Sequence, residues 1–269
     1  MTRVRPPAVA GTFYPGDAVE LADTVDRLLA AAAHDQAAAP AGLRPPAAIV
    51  APHAGYVYSG PVAASAYAAL GRWRDDVHRV YLIGPAHRVA VRGVALSSAD
   101  EWVTPLGRVP VDRAAVEALA VRPGVTVDDR AHAPEHCLEV HLPFLQRVLR
   151  DGWTIVPALA SGVTPAALAE LMSTSWAQPG VLWVVSTDLS HYHDLRTARR
   201  LDEATAAAVV ARAWERIGTD DACGAVPLRG VLELARRLDA PVEQLDLRTS
   251  GDTAGDARRV VGYGSFVIR

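Results

Sequence analysis

The sequence predicts an α/β fold in which a central sheet, mixed but mostly parallel, carries helices on its faces. Short apolar runs suited to buried strands alternate with segments of helical periodicity, the pattern of a parallel sheet with crossover helices. Half of the 269 residues are apolar, so one sizeable core can form. Neither an internal repeat nor a domain boundary interrupts this alternation, and we therefore expect a single domain over residues 1–269.

The first half of the chain predicts three helices and four strands. Asp17 can cap the first helix, over residues 17–33, where apolar residues recur at helical spacing. An alanine- and proline-rich stretch without periodicity predicts a surface loop over residues 36–46, and residues 56–59 predict a second loop. Two strands are expected to pair around the turn at 105–107. The remaining elements are strands at 47–50, 80–83, 93–96 and 107–111 and helices at 60–70 and 113–120.

The second half continues the alternation and ends in two strands. The most strongly apolar run, over residues 181–185, predicts a fully buried strand that ends at Ser186-Thr187-Asp188. Another helix is expected to open at the histidine-rich turn near residue 138. The predicted helices cover residues 138–150, 165–172, 202–217 and 226–238, and the further strands cover residues 154–159, 242–247 and 260–268.

Charge and composition exclude several classes of function. A net charge of −3, with arginines scattered apart from short clusters such as Arg199-Arg200 and Arg258-Arg259, argues against nucleic-acid binding. The N-terminus lacks the apolar run of a signal peptide, and no apolar stretch is long enough to cross a bilayer, so we expect a soluble cytoplasmic protein without a membrane partner. The two cysteines, Cys137 and Cys223, are then expected to be free thiols.

Two residue types are missing altogether, lysine and asparagine. Without lysine there is no phosphate-binding loop of the Walker type, no Schiff base and no kinase-type strand lysine. Without asparagine a Cys-His-Asn protease is excluded. No Gly-x-Gly-x-x-Gly follows a strand, and no Gly-x-Ser-x-Gly occurs. The chemistry that remains belongs to histidines, acids and thiols.

Two histidines, His53 and His87, each lie two to four residues beyond a predicted buried strand, next to proline and glycine. A single loop histidine is more often structural, but the same placement twice favours a functional site. Ligands in open α/β sheets bind at the carboxyl ends of strands. Neutral imidazoles bind borderline metals and transfer protons near neutral pH. The sequence therefore predicts a metal or acid–base site at this edge of the sheet.

Asp188 and His191 follow the most apolar strand and place a carboxylate and an imidazole on one turn. They could bind a metal or orient another histidine, but Asp188 or Ser190 could equally cap a helix. Cys223 stands just before a predicted helix, where a thiolate is stabilised. It could instead be a buried cysteine that acts as a small hydrophobic residue.

The segment from Glu135 to His141 is dense in acids and histidines but lacks the His-Glu-x-x-His zinc spacing. His136 and His141 are five residues apart, about 500° of helical rotation, so one metal ion is not expected to bind both from a regular helix. Glu139 and His141 also point in different directions there. We therefore expect the segment to line the site, with one of its residues catalytic.

Together these motifs resemble the Memo family (mediator of ErbB-driven cell motility), whose bacterial and archaeal members are called AmmeMemoRadiSam system protein B. The resemblance covers the chain from about residue 5 to its C-terminus, in the same order. The matching motifs are Ala10-Gly-Thr-Phe-Tyr-Pro15, Ala51-Pro-His-Ala-Gly-Tyr-Val-Tyr-Ser-Gly60, Gly84-Pro-Ala-His87, Glu139-Val-His-Leu-Pro143, Ser186-Thr-Asp-Leu-Ser-His191 and Ala222-Cys-Gly224.

The resemblance implies a fold like that of the LigB-like class III extradiol dioxygenases. It also implies a site in which His53, His87 and Cys223 bind an Fe(II) or copper ion. Asp188, His191 and His141 then become the candidate catalytic or pocket residues. A thiolate ligand in place of a carboxylate argues against ring cleavage.

The implied partners of the site are O₂ or a small-molecule substrate. The family name further implies association with radical-SAM and AMMECR-type proteins, so a non-catalytic partner or metal-handling protein is the alternative to an oxidoreductase. A third hypothesis is a metal-free hydrolase in which Cys223 is the nucleophile.

Overall fold

The computed structural model describes residues 2–35, 44–176 and 178–269, and at its centre is a block of parallel strands. In spatial order these are β2 (Ala48–Ala51), β9 (Val181–Ser186), β3 (Arg79–Gly84) and β8 (Thr154–Ser161). Every residue of β2 is buried, which requires cover on both faces of the sheet. Short apolar runs without alternation form these strands for the same reason.

Antiparallel strands extend this block on both sides. Strand β12 (Val260–Ile268) pairs with β2, and both β10 (His191–His193) and β11 (Val242–Thr249) pair with β12. On the other side β4 (Gly93–Leu96) pairs antiparallel with β8 and parallel with β7 (Val125–Val127). The mixed α/β fold predicted from the sequence is confirmed.

Helices cover the sheet in two groups. Helix α2 (Tyr56–Ala68) packs against β2, β11 and β12 and contacts α1 (Ala18–Asp35) and α5 (Leu142–Val148). Helix α8 (Ala225–Arg237) packs against β8 and β9 and contacts α6 (Pro165–Ser173). No helix in the described ranges is long and apolar enough to cross a membrane. The helices are α1 (Ala18–Asp35), α2 (Tyr56–Ala68), α3 (Arg113–Ala120), α4 (Asp129–His132), α5 (Leu142–Val148), α6 (Pro165–Ser173), α7 (Leu195–Val210), α8 (Ala225–Arg237) and α9 (Ser250–Ala254), with 3₁₀ turns at Gly71–Trp73, Glu139–His141 and Trp214–Arg216.

The predicted pairing of residues 93–96 with residues 107–111 is wrong. The turn at 105–106 instead joins β5 (Glu101–Thr104) to β6 (Gly107–Pro110), and β1 (Val4–Arg5) completes this separate three-stranded sheet. Strand β4 is taken up by the main sheet because its apolar residues are buried against β8. The predicted turn is correct, but the strand that precedes it is β5 and not β4.

Two predicted helix starts are also wrong. Residues 56–59 were expected to form a loop, yet α2 begins at Tyr56, whose N–H donates to the Phe13 carbonyl 2.7 Å away. The helix predicted from residue 202 begins at Leu195, because Asp194 caps it by accepting the Thr197 N–H. The helix expected over 138–150 is shorter and starts as a 3₁₀ turn. Of the predicted loop over 36–46, residues 36–43 lie outside the described residues.

Candidate metal centre

The candidate site lies at the carboxyl ends of β2, β9 and β3, which are neighbours in the parallel block. His53 follows β2, Asp188 follows β9 and His87 follows β3, so residues far apart in sequence meet at one edge. The Asp188 carboxylate joins two of these loops, since its Oδ1 accepts the backbone N–H of His53 at 2.7 Å. The convergence expected from the strand-end positions is present in the structure.

A third imidazole, that of His136, joins His53 and His87. One potential ligand atom of each ring lies within 4.8 Å of the others, and the ring centroids are 5.0 to 5.5 Å apart. His53 is buried and His87 is partly exposed, so the cluster borders solvent on one side. The sequence predicts only a lining role for His136, because it predicts a regular helix at that segment.

The Nδ1 atoms of two of these rings are already hydrogen-bonded. His53 Nδ1 lies 2.6 Å from Ser186 Oγ, and His87 Nδ1 lies 3.0 Å from Glu135 Oε1. His136 Nδ1 is 3.1 Å from the same carboxylate oxygen but not in hydrogen-bonding direction. Burial, followed by the neighbouring His87 and His136, lowers the pKa of His53 well below its usual value. A neutral ring held at Nδ1 leaves Nε2 for a metal, the usual arrangement of metal-binding histidines.

Glu135 organises the loop that carries His136. Besides His87 Nδ1 it accepts the backbone N–H groups of His87, His136 and Cys137 at 2.6, 3.0 and 3.2 Å. Burial alone would raise the pKa of Glu135, but the close imidazoles of His136 and His87 and the backbone N–H of His87 outweigh burial and hold the pKa well below its usual range. The sequence predicts that Glu135 belongs to a segment lining the site, but not that its carboxylate holds His87 and the loop of His136.

Cys223 lies beside His53, but it is not one of the three residues whose ligand atoms cluster within 4.8 Å. Its Sγ lies 3.3 Å from His53 Nε2 and also accepts the Asp188 N–H at 3.3 Å. Bonds of about 2.1 Å to nitrogen and 2.3 Å to sulfur at a tetrahedral angle put two ligand atoms about 3.6 Å apart. The observed separation therefore fits a shared metal ion.

The groups around the Cys223 thiol determine its pKa. Burial and the nearby Asp188 carboxylate raise the pKa of the thiol to about 12, which opposes the expected stabilisation of a thiolate by the following helix. A metal-free nucleophile needs the opposite shift. The buried-hydrophobe alternative also fits poorly, because the sulfur faces a polar imidazole rather than apolar side chains.

A second possible ligand group, made of His87, Glu135 and Cys137, overlaps the first. Its members are already committed elsewhere: Glu135 accepts several N–H groups, and the buried Cys137 thiol donates to the Pro85 carbonyl at 3.1 Å. Burial also raises the pKa of Cys137. We therefore favour the group around His53.

Neither Asp188 nor Ser190 caps a helix, so that alternative is wrong: the next helix, α7, is capped by Asp194. The buried Asp188 bonds to His53, and its other oxygen, Oδ2, lies 4.0 Å from His53 Nε2. Burial raises the pKa of the Asp188 carboxyl. His191 lies on β10 and lines the same cleft as the three clustered imidazoles.

His141, expected to be a catalytic or pocket residue, is fully buried and does not line this cleft. Its Nε2 lies 2.9 Å from Ser186 Oγ. Burial lowers its pKa to about 3. The sequence assigns Ser186 no role of its own, since its one local feature is that it directly follows the most apolar predicted strand.

The cleft above the cluster has a volume of about 890 Å³. Aromatic side chains of Phe13, Tyr58 and Tyr192 line it, and Phe13 packs on His136 with 4.7 Å between ring centroids. Arg88 and Arg259 add positive charge to the lining, and the Arg259 guanidinium lies 5.0 Å from the ring centroid of Tyr192. The volume and mixed lining are those of a small-molecule site.

The fold and the site define an α/β protein with a candidate metal centre at the carboxyl ends of its parallel strands. The sequence profile of the family described as Memo-like protein matches residues 5–267. MEMO1 family proteins of Aquifex aeolicus and Thermotoga maritima are 35% and 36% identical to this chain, covering 99% and 98% of it and 99% of each relative. One from Sulfolobus acidocaldarius is 35% identical over 97% of both chains. The chain belongs to the Memo family, which confirms the resemblance.

Proposed function

We propose that the protein binds a redox-active metal, Fe(II) or copper, through His53, His87 and Cys223 and acts as an oxygenase-like oxidoreductase on a small substrate. The observation that carries the proposal is the 3.3 Å contact between His53 Nε2 and Cys223 Sγ beside a second imidazole whose Nδ1 is also held. The donor set of two imidazoles and one thiol suits softer or more oxidised metals than two imidazoles and a carboxylate would. A bound metal would supply an open position for O₂ or substrate and a change of oxidation state.

The protein's own groups divide the remaining tasks. Asp188 fixes the His53 loop and, because burial raises its pKa, is suited to hold a proton close to the metal. His191 faces the same cleft as a second acid–base group. Arg88 and Arg259 favour a substrate that carries negative charge, and Phe13 shields the His136 side from water.

Metal binding can be tested on protein stripped with a chelator and titrated anaerobically with Fe(II) or Cu(I). We expect a dissociation constant below micromolar, raised at least about 100-fold by His53→Ala, His87→Ala or Cys223→Ser. His78→Ala is a matched control, since His78 is exposed and lies at the opposite end of β3. If the wild-type protein binds neither metal with better than micromolar affinity, the proposal is refuted.

The same titration with His136→Ala decides the third ligand. If Cys223 is the ligand, this variant keeps most of its affinity whereas Cys223→Ser does not. The reverse result assigns the metal to the three clustered imidazoles instead. Elemental analysis of untagged wild-type protein then identifies the metal that it carries.

A second candidate function is that of a non-catalytic, metal-handling partner of radical-SAM and AMMECR-type proteins. The observation in its favour is the exposure of Val57, Tyr58 and Tyr192, which are 66%, 46% and 64% exposed around the cleft. Exposed apolar and aromatic side chains grouped at one mouth are typical of protein contacts. Co-purification with those proteins, together with no turnover across a panel of catechols by the metal-loaded protein, would favour this function.

A further inference from the structure

We propose that Ser186, supported by His141, is a positioning residue that holds His53 in the tautomer with a free Nε2. The inference rests on the proposed function and deepens it, because it assigns the groups that keep one ligand ready to bind a metal. Ser186 and His141 are both fully buried and lie behind His53, away from the cleft.

The hydrogen bonds around Ser186 fix the protons of both rings. A serine hydroxyl has one hydrogen to donate and two lone pairs to accept with. The carbonyl oxygen of Cys137, 2.7 Å from Ser186 Oγ, can only accept, so it takes that hydrogen. His53 Nδ1 at 2.6 Å and His141 Nε2 at 2.9 Å must then both donate to Ser186.

This count makes His53 a neutral imidazole with its proton on Nδ1 and a lone pair on Nε2. That lone pair faces the sulfur of Cys223. His87 reaches the same tautomer by a simpler route, since the Glu135 carboxylate that faces its Nδ1 can only accept. A serine alone could donate to His53 instead and reverse its tautomer. The Cys137 carbonyl and the His141 N–H remove that freedom.

The state of His141 supports the same conclusion. Its Nδ1 is buried and has no hydrogen-bond partner among the described residues. An unpaired buried nitrogen destabilises a fold, and a fully apolar side chain in its place would avoid that. We infer that a histidine is needed at position 141 because its Nε2–H donates a hydrogen bond to the second lone pair of Ser186 Oγ.

The test is a long-range ¹H–¹⁵N correlation spectrum of metal-free protein with ¹⁵N-labelled histidine, near pH 7.5. We expect His53 to be protonated at Nδ1 only and His141 at Nε2 only, with His53→Gln and His141→Gln providing the assignments. In Ser186→Ala, His53 should become a mixture of tautomers, and affinity for Fe(II) or Cu(I) should fall about 10- to 100-fold. Ser186→Thr, which keeps the hydroxyl, should restore both.

Ser265→Ala is the matched control, because Ser265 is equally buried and its hydroxyl has no partner among the described residues. It should leave the His53 tautomer and the metal affinity unchanged. A wild-type His53 protonated at Nε2 overturns the proposal, as does an unchanged tautomer in Ser186→Ala. If Ser186→Ala does not fold, His141→Leu tests the same arrangement. A correct tautomer without metal binding refutes the proposed function and leaves the positioning role standing.

Discussion

Replacing Glu139 by glutamine should destabilise the protein strongly, because this carboxylate ties the N-terminal segment to the site. Glu139 is fully buried and accepts four hydrogen bonds. Its donors are Arg5 Nη1 at 2.5 Å, the N–H groups of Ala8 and Val9 at 2.7 and 3.0 Å, and the Tyr14 hydroxyl at 2.6 Å. A glutamine amide would turn an NH₂ group toward two of these donors.

The expected loss follows from the burial of the cation. Arg5 is only 5% exposed, so without the carboxylate its guanidinium stays in the interior without an opposite charge. Removing one partner of a buried ion pair costs about 3–5 kcal/mol, a large part of the roughly 5–15 kcal/mol that stabilises a typical domain. The segment held by Glu139 also carries Phe13, so the wall of the cleft should loosen as well.

Urea-induced unfolding followed by tryptophan fluorescence measures this loss. The matched control is Asp75→Asn, which removes the carboxylate of an ion pair with Arg150 whose side chains are 66% and 64% exposed. Such exposed pairs contribute at most about 1 kcal/mol. If Glu139→Gln lowers the free energy of unfolding no more than the control does, the argument from burial is refuted.

Three further predictions concern acid stability, the thiol and a close backbone contact. The folded pKa values of His132 and His141, about 4 and 3, lie below the unfolded value of 6.5. The unfolded chain therefore binds more protons below pH 6.5, and each histidine should lower the unfolding free energy of metal-free protein by about 2 kcal/mol at pH 5. His132→Gln should flatten that profile. Bound Fe(II) or Cu(I) should slow alkylation of Cys223 by iodoacetamide, read by mass spectrometry; equal rates would exclude it as a ligand. Gly224→Ala should weaken metal binding in the same titration, since its Cβ would lie 2.5 Å from the Ser186 carbonyl oxygen and displace the neighbouring Cys223; unchanged affinity would contradict this.

The sequence predicts the central strands well because each is a short, uninterrupted apolar run buried on both faces. It fails where local signals compete with tertiary contacts. The sequence predicts a helix over residues 60–70, but the N–H of Tyr56 donates to the carbonyl of Phe13, more than forty residues earlier, and the helix starts at Tyr56. The predicted partner of β6 is wrong because β4 pairs with β8 in the main sheet, which leaves β5 to pair with β6.

For the site, the sequence could identify residues with recognisable chemistry at strand ends but not the groups that orient them. His53 and His87 follow apolar runs next to proline and glycine, a pattern visible without a structure. Ser186 and Glu135 orient the two histidines through contacts across 133 and 48 positions of sequence. A serine at the end of a strand has no local feature that reveals such a role.

Hydrogen bonds around the turn after β9 allow the site to form before a metal binds. Asp188 accepts the His53 N–H through its side chain, while its backbone carbonyl accepts the N–H of Cys223 at 3.2 Å. The Thr187 hydroxyl accepts the next N–H, that of Gly224. The turn after β9 thus fixes both the loop of one proposed ligand and the loop of the other. Because the bonds involve backbone groups, they persist in ligand variants such as Cys223→Ser. Such variants should therefore lose metal affinity while keeping the geometry of the remaining imidazoles.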